Sequence, residues 1–267
     1  MAKPTVRKRE WEDEYTLLCE KCGYVVEGLD TAGPCPECGK PIAESLPERR
    51  VGTPWQQKPG FKSLILTWWM TLRHPLQTLN VMRFDGEYPL TPLSATLCYS
   101  IIICFVVLLL EPFGLLFELR IADILNIFFG LLILTLIGIA IWTSFFLLSL
   151  IEALGLQFFG ARRGGRVDPS IAWVIVGHGA VGWTLTGLIW VIGLKISQLI
   201  SYLNPTTSDY ELRQQLGWHI NLIIEPALYS GIVIGLLVFE TFAYLGLRRC
   251  KYANRIRPQK FSPDTTA

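Results

Sequence analysis

Four cysteines in two matched pairs are the residues best suited to carry chemistry. The pairs are Cys19-Glu-Lys-Cys22-Gly23 and Cys35-Pro-Glu-Cys38-Gly39, with twelve residues between them. Two residues between the thiols of a pair allow a tight turn to direct both sulfurs at one ion. Glycine after the second cysteine permits a positive φ, which lets backbone amides point at sulfur. The spacing predicts a zinc ribbon whose ligands are Cys19, Cys22, Cys35 and Cys38.

The predicted role of this metal is structural. Four protein thiolates fill a tetrahedral site and leave no position for a substrate or a catalytic water. Iron is a less expected occupant of the same sulfur set, and disulfide pairing is disfavoured in a reducing compartment. The segment between the pairs predicts a small β-hairpin with almost no core, so zinc binding, about 10–16 kcal/mol in finger peptides, is expected to supply its folding free energy.

Two ionisable residues inside apolar runs are the other candidates for function. Glu240 and His178 each interrupt a long uncharged window, and ionisable groups in a membrane are expensive. For both, a structural role is favoured: Glu240 pairing with arginines near the inner leaflet, and His178 bonding a neighbouring helix. No nucleophile, phosphate-binding glycine loop or second metal cluster has interpretable spacing. We therefore expect no enzymatic activity.

The composition predicts that most of the chain lies in a membrane. Of 267 residues, 51% are hydrophobic and 17% charged, which is more apolar than an average soluble domain. Windows long enough to cross a bilayer run over residues 88–110, 124–151, 169–194 and 220–247. The expected fold is mainly α: a polytopic transmembrane helix bundle of about four spans, or five, preceded by the β-hairpin zinc ribbon.

The chain divides into five predicted segments. These are a zinc ribbon (1–45), a linker (46–60), amphipathic interfacial helices (61–85), the transmembrane bundle (86–250) and a basic cytosolic tail (251–267). Residues 61–72 form an apolar helical stripe with paired tryptophans, which favours a helix lying in the membrane interface over a soluble docking helix. The stripe is Phe61, Leu64, Ile65, Trp68, Trp69 and Leu72.

Basic residues predict the orientation in the membrane. Lysines and arginines concentrate before the first window, between the second and third, and after the fourth, which places both termini in the cytosol and the protein in the cytoplasmic (inner) membrane. The charged amino-terminal segment gives no indication of a secretory signal. The formal charge of +2 is too small to indicate a nucleic-acid partner. The expected partners are the lipid bilayer, other proteins bound through the ribbon, and a possible second copy of the chain.

The order of these features resembles a known family. A ribbon, a linker, an amphipathic segment with Leu72-Arg-His-Pro75 and a bundle containing Gly177-His178-Gly-Ala-Val-Gly-Trp183 resemble bacterial Yip-domain-like membrane proteins that carry an amino-terminal zinc ribbon. The resemblance implies a bundle of five spans. It names no settled activity for the bacterial members. Eukaryotic relatives act in vesicle trafficking with small GTPases.

Two functions remain open from the sequence. The first is a non-enzymatic adaptor or scaffold, whose ribbon presents a protein-binding surface at the membrane. The alternative is a small transporter or channel that uses Glu240 and His178.

Overall fold

The structure is a computed structural model that describes residues 13, 15–84, 91–109, 121–203 and 210–256. Short 3-10 helices cover Ile42–Ser45 and Pro47–Arg49. Over these residues eight α-helices follow: α1 Pro54–Gln57, α2 Phe61–Arg73, α3 Pro75–Val81, α4 Thr91–Leu109, α5 Ile121–Arg162, α6 Pro169–Gly179, α7 Val181–Leu203 and α8 Tyr210–Arg249. The expectation of a mainly helical chain is confirmed.

The chain forms two compact units, which are described separately below. The first unit gathers three stretches of sequence, Met1–Leu93, Ile151–His178 and Thr241–Ala267. The second consists of Ser94–Leu150 and Gly179–Glu240. The ribbon, α1–α3 and the residues that follow α8 therefore belong to one unit. The five predicted segments are not tested by this division and stay a prediction.

Three of the described helical stretches are long and apolar enough to cross a membrane. They are Thr135–Arg162, Pro169–Ile196 and Glu225–Arg249, and they fit a membrane protein. The predicted total of four spans is not confirmed. In the region of the first predicted span, α4 covers Thr91–Leu109, and its apolar stretch Thr91–Cys104 is the part whose side chains the structure describes. Residues 88–90 and 110 lie outside the described part of the chain.

The predicted β-hairpin of the ribbon is not supported. Between residues 15 and 45, which the structure describes throughout, the β contacts are two isolated bridges, Leu18 with Val25 and Pro34 with Pro41. Each bridge closes the turn of its own cysteine pair, so the bridges do not continue into a shared ladder. Prolines at both positions of the second bridge lack the N–H group that a longer ladder needs. The ribbon is a pair of bridged knuckles.

Residues between the ribbon and α2 are ordered by hydrogen bonds in the first unit. Gly52 has φ +87°, and its amide donates to the carbonyl of Val81 at 2.8 Å. Thr53 is the N-cap of α1, and its amide donates to Oε1 of Gln56 at 3.1 Å, one half of a capping box. The predicted linker thus contains the 3-10 helix Pro47–Arg49 and α1.

Helix α2 divides its predicted apolar stripe between protein and surroundings. Leu64 and Trp68 are buried in the first unit, whereas four other members of the stripe are exposed: Phe61, Ile65, Trp69 and Leu72. Thr67 and Thr71 are buried beside Leu64 and Trp68 because their hydroxyls donate to carbonyls one turn earlier. One apolar face of α2 is therefore exposed in the first unit. That this face lies at a membrane interface stays a prediction.

In the second unit, small residues bring α7 and α8 close together. Thr186 Oγ1 donates to the carbonyl of Gly231 at 2.9 Å, and Trp190 Nε1 donates to the carbonyl of Leu228 at 2.9 Å. A Cβ added at Gly182 would overlap the carbonyl oxygen of Gly235. Close approach through small residues is a typical mode of helix packing in lipid. The glycines and threonine of these helices therefore serve packing.

Candidate metal centre

Each cysteine pair lies in a knuckle built by its own backbone. In the first, Gly23 donates to the carbonyl of Cys19 at 2.8 Å and Cys19 donates to the carbonyl of Tyr24 at 2.8 Å. The second repeats this pattern, with Gly39 donating to Cys35 at 2.9 Å and Cys35 donating to Lys40 at 2.8 Å. Gly23 and Gly39 have φ values of +76° and +69°. The predicted left-handed glycines are confirmed, and they turn each pair of thiols toward a common point.

The four sulfurs converge as a metal site requires. The Sγ atoms of Cys19 and Cys38 are 3.5 Å apart, those of Cys22 and Cys35 are 3.6 Å apart, and all four lie within 4.8 Å of one another. A tetrahedral zinc site with bonds of about 2.3 Å needs sulfur separations of about 3.8 Å. A disulfide needs about 2.05 Å. The residues present fit a metal ion such as zinc.

The electrostatics of the thiols favour a cation at this point. Burial raises the pKa of the Cys19 thiol, but backbone hydrogen bonds from Cys22 and Lys21 outweigh burial and lower it to about 7. Burial raises the pKa of Cys22 to about 12. For Cys38, the Lys40 amide lowers the pKa, but burial and the neighbouring Cys19 thiol leave it raised. Four thiolates this close repel one another, and a bound cation removes that repulsion.

The core of the ribbon is small. Its buried members are Cys19, Val26, Cys35 and Ile42, so two of the four are themselves candidate ligands. Around them pack Leu17, Cys22 and Cys38. Too little apolar surface is buried here to fold a domain of this size unaided.

Asn254, beyond the end of α8, fastens the ribbon within the first unit. Its Nδ2 donates to the carbonyl of Leu18 at 2.7 Å and to the carbonyl of Ser45 at 2.6 Å. Asn254 is 3% exposed. A single amide therefore joins the start of the first knuckle to the 3-10 helix after the second.

Arg166, in the connection between α5 and α6, reinforces this junction. Its guanidinium donates to the carbonyl of Thr16 at 2.6 Å, to the carbonyl of Ala253 at 3.1 Å and to Oδ1 of Asn254 at 2.8 Å. Burial lowers the pKa of Arg166, and the nearby Asp168 carboxylate opposes that shift. Because this buried guanidinium is bonded to three acceptors, Arg166 has a structural role in holding the junction together.

A second buried arginine joins the ribbon to α3. Arg50 donates from Nε and Nη2 to the two carboxylate oxygens of Glu20, both at 3.0 Å. Its Nη1 donates to the carbonyls of Leu79, at 2.8 Å, and Met82, at 3.2 Å. This fork-to-fork pair has the geometry that makes arginine–carboxylate contacts strong. Glu20 lies between ligands Cys19 and Cys22, so the pair fixes the first knuckle directly.

Both ring nitrogens of His178 make contacts within the first unit. Its Nδ1 is 2.8 Å from the carbonyl of Val174, and its Nε2 is 3.1 Å from Oγ1 of Thr53. A carbonyl can only accept, so Nδ1 of His178 carries the hydrogen that it donates to Val174. His178 thereby links α6 to the start of α1 in the first unit.

Glu240 belongs to the second unit, and its side chain is exposed on α8 next to the buried Phe239. The structure therefore describes Glu240 and His178 in separate units. His219 and Arg213 lie in a part of α8 whose side chains are outside the described set.

A polar groove of about 730 Å³ lies beside the ribbon in the first unit. Its charged lining is Glu20, Lys21, Lys40, Glu44, Arg50, Arg248 and Arg249. Glu20 is paired with Arg50 and Glu44 with Arg49, and the lining holds four further cations, Lys21, Lys40, Arg248 and Arg249. The groove also includes Cys38 and Gly39 of the second knuckle, so its shape depends on the metal centre.

The sequence patterns did not single out the residues that dock the ribbon. Arg50 lies in the predicted linker. Arg166 is one of the basic residues between the second and third windows that predict the orientation in the membrane. Asn254 lies in the predicted tail. A run of charges shows that arginine is present, but it does not distinguish a solvated arginine from one that reaches three buried carbonyls. The only sequence signal for these arginines is weak. Gly52 lies close to Arg50, and Gly164 and Gly165 directly precede Arg166; glycines at such positions indicate tight backbone turns.

Comparison with protein-family models, curated proteins and solved structures finds no match to this chain.

Proposed function

We propose that the chain is a non-enzymatic membrane adaptor whose structural zinc ribbon forms one face of a protein-binding groove. The observation that carries this proposal is the docking of the ribbon: Glu20, Leu18 and Ser45 are all held by side chains from other parts of the first unit. A ribbon fixed in this way presents a constant surface. The likeness to Yip-domain-like proteins is consistent with such a role and remains part of the proposal.

The metal in this proposal is zinc. Bound zinc would supply folding free energy to the ribbon, since the four thiolates complete its coordination. The chain's own residues do the rest: the backbone amides orient the sulfurs, and the Arg50–Glu20 pair holds the first knuckle against α3.

The occupant proposed for the groove is an acidic segment of a partner protein. Lys21, Lys40, Arg248 and Arg249 outnumber Glu44 along its lining, and the Glu44 carboxylate is itself paired with Arg49 at 3.7 Å. Opposite charge across an interface raises the association rate and selects the partner. We further propose that the protein lies in the cytoplasmic membrane with both termini in the cytosol, which would expose the groove to cytosolic proteins.

The transporter alternative has less support. His178 uses both ring nitrogens in contacts within the protein, to Val174 and Thr53. A solute-flux assay on reconstituted protein tests it, with Glu240→Gln and His178→Gln as the variants. Solute flux that is abolished by both substitutions would favour a transporter over an adaptor.

Site-specific photo-crosslinking tests the adaptor. A photoreactive residue is placed at Lys40, which lines the groove, or at Glu27, which is exposed elsewhere on the ribbon. We expect discrete crosslinked proteins from position 40, few from position 27, and loss of those products when Cys38→Ser is added. The same crosslinks from both positions, or unchanged crosslinks with Cys38→Ser, would reject the ribbon as the binding surface.

A further inference from the structure

A second, smaller cavity lies at the ends of α5 and α8, in the first unit. Its volume is about 210 Å³, and it is lined by Gly160, Arg163, Leu247, Arg248 and Lys251. Every charged residue of this lining is a cation. Among the described residues, the ion pairs do not involve Arg163, Arg248 or Lys251. The lining therefore holds three cationic residues and no carboxylate. The Arg248 guanidinium also lies over the Tyr244 ring at 5.8 Å, and Nζ of Lys251 lies over the Tyr252 ring at 4.8 Å.

The backbone at the end of α5 builds one wall of this basic pocket. Gly165 donates to the carbonyl of Gly160 at 2.8 Å, and Gly164, with φ +66°, donates to the carbonyl of Ala161 at 3.0 Å. This pair of bonds is a Schellman motif, which satisfies the last carbonyls of the helix. The side chain of Arg163 is therefore not needed as a cap.

Close backbone packing holds the opposite wall in place. The carbonyl of Lys251 accepts a hydrogen bond from the amide of Arg166 at 2.7 Å. A Cβ added at Gly165 would lie 2.5 Å from Cγ of Lys251, and one added at Gly160 would lie 2.7 Å from Cγ2 of Val167. Glycine at both positions lets the two segments approach, so the cations converge because of the fold.

The position of the pocket along the helices indicates what it binds. Two candidate membrane spans, Thr135–Arg162 and Glu225–Arg249, end beside it. The ends of spanning helices lie at the headgroup level of a bilayer. Basic pockets between helix ends bind the headgroups of anionic lipids. The wall at Leu247 adds an apolar contact suited to the glycerol part of such a molecule.

We infer that the pocket formed by Arg163, Arg248 and Lys251 binds the phosphate of an anionic phospholipid headgroup. Cations at the carboxyl ends of helices also interact favourably with the helix dipoles. That effect accounts for basic residues at each helix end, but it does not require them to share one cavity. The larger groove beside the ribbon fits a lipid phosphate less well because Glu20 and Glu44 line it.

Native mass spectrometry of the full chain in detergent tests this inference. The probes are phosphatidylglycerol and, as the uncharged control, phosphatidylcholine. The test variant is Arg163→Gln with Lys251→Gln, because Arg248 also lines the larger groove. The matched control is Lys58→Gln with Lys62→Gln, which removes two exposed cations, one at the end of the predicted linker and one in the predicted interfacial helix. Single variants of Arg163 and Lys251 follow if the double variant does not fold.

We expect wild type to retain phosphatidylglycerol in preference to phosphatidylcholine. Each pocket charge removed should weaken that retention about fivefold, while the control variant retains the lipid as wild type does. Equal losses in the pocket and control variants would overturn the inference, because diffuse surface charge would then explain binding. Displacement of the lipid by an equimolar amount of inorganic phosphate would also overturn it, in favour of a soluble anion. Neither result bears on the crosslinking test of the groove.

Discussion

Asn254 bonds both backbone groups of Leu18, although 236 positions separate the two residues. The Leu18 amide donates to Oδ1 of Asn254 at 3.0 Å, and Nδ2 of Asn254 donates to the Leu18 carbonyl at 2.7 Å. The side-chain amide thus bonds the two backbone groups of Leu18 that its bridge to Val25 does not use. The backbone of Leu18, adjacent to ligand Cys19, is satisfied by a residue that follows the last helix.

Replacing Asn254 with aspartate should destabilise the protein strongly. The substitution removes the donor to the carbonyls of Leu18 and Ser45 and places an acceptor against both. We expect the free energy of unfolding to fall by about 3 kcal/mol, measured by thermal denaturation in detergent. Asn80→Asp is the control, because Asn80 is exposed. Similar losses from both variants would contradict the role assigned to Asn254.

Arg162 and Arg166 should behave differently although they carry the same charge in the same connection. Arg166 donates to three buried acceptors, whereas Arg162 is exposed and its guanidinium lies over the ring of Phe158 at 4.7 Å. Arg166→Gln should lower the free energy of unfolding by about 3 kcal/mol, and Arg162→Gln by less than about 0.5 kcal/mol. The comparison uses denaturant midpoints of both purified variants. If the two midpoints shift equally, the arginines act only through their charge.

Metal binding should depend on the four knuckle cysteines alone. Cys35→Ser removes one ligand from a set whose sulfurs lie within 4.8 Å, so zinc content should fall from one equivalent per chain to nearly none. Elemental analysis of purified protein measures this. Cys98→Ser, an exposed cysteine of α4, is the control and should keep its zinc. Chelation of wild type should also increase proteolysis at Lys21 and Lys40, and an unchanged digest would show that the ribbon folds without metal.

Packing in the second unit should tolerate a methyl group at Gly138 and reject one at Gly235. A Cβ at Gly235 would overlap the carbonyl of Gly182, whereas one at Gly138 meets nothing within 4 Å. Gly235→Ala should lower the free energy of unfolding by about 1–3 kcal/mol, and Gly138→Ala should be neutral. Thermal unfolding monitored by circular dichroism distinguishes them, and a neutral Gly235→Ala would mean that α7 and α8 are farther apart.

The Cys250 thiol should resist alkylation. Its ionisation should also make the free energy of unfolding depend on pH in the alkaline range. Burial raises the pKa of its thiol to about 11 from a usual value of 9.0. Between these values the unfolded chain loses a proton that the folded chain keeps, so stability falls as pH rises from about 9 to about 11. The melting temperature of wild type should fall more over this range than that of Cys250→Ala.

Maleimide labelling at pH 8 supplies a second measurement for the same thiol. Cys250 should label only after the protein is denatured, because it is fully buried and protonated at that pH. Rapid labelling of Cys250 in the folded protein would contradict its placement.

The metal ligands could be predicted because their geometry is local. A Cys-x-x-Cys-Gly turn fixes its own backbone, and the positive φ of Gly23 and Gly39 follows from that turn. The start of α6 is equally local: Asp168 precedes Pro169, a typical pattern at a helix start, and the amide of Ile171 donates to Oδ1 of Asp168 at 2.9 Å. The β-hairpin was not supported because strand pairing depends on a partner, and no periodicity within so short a segment specifies one.

Apolar length alone determined that this chain has helices able to cross a membrane, and cysteine spacing alone determined where a metal could bind. Only the tertiary structure decided that Arg50, Arg166 and Asn254 hold the ribbon, and that Arg163 and Lys251 share a pocket. The physical reason is that a buried hydrogen bond is specified by two distant partners at once. A single residue in a charged or polar run carries no information about which carbonyl it will reach.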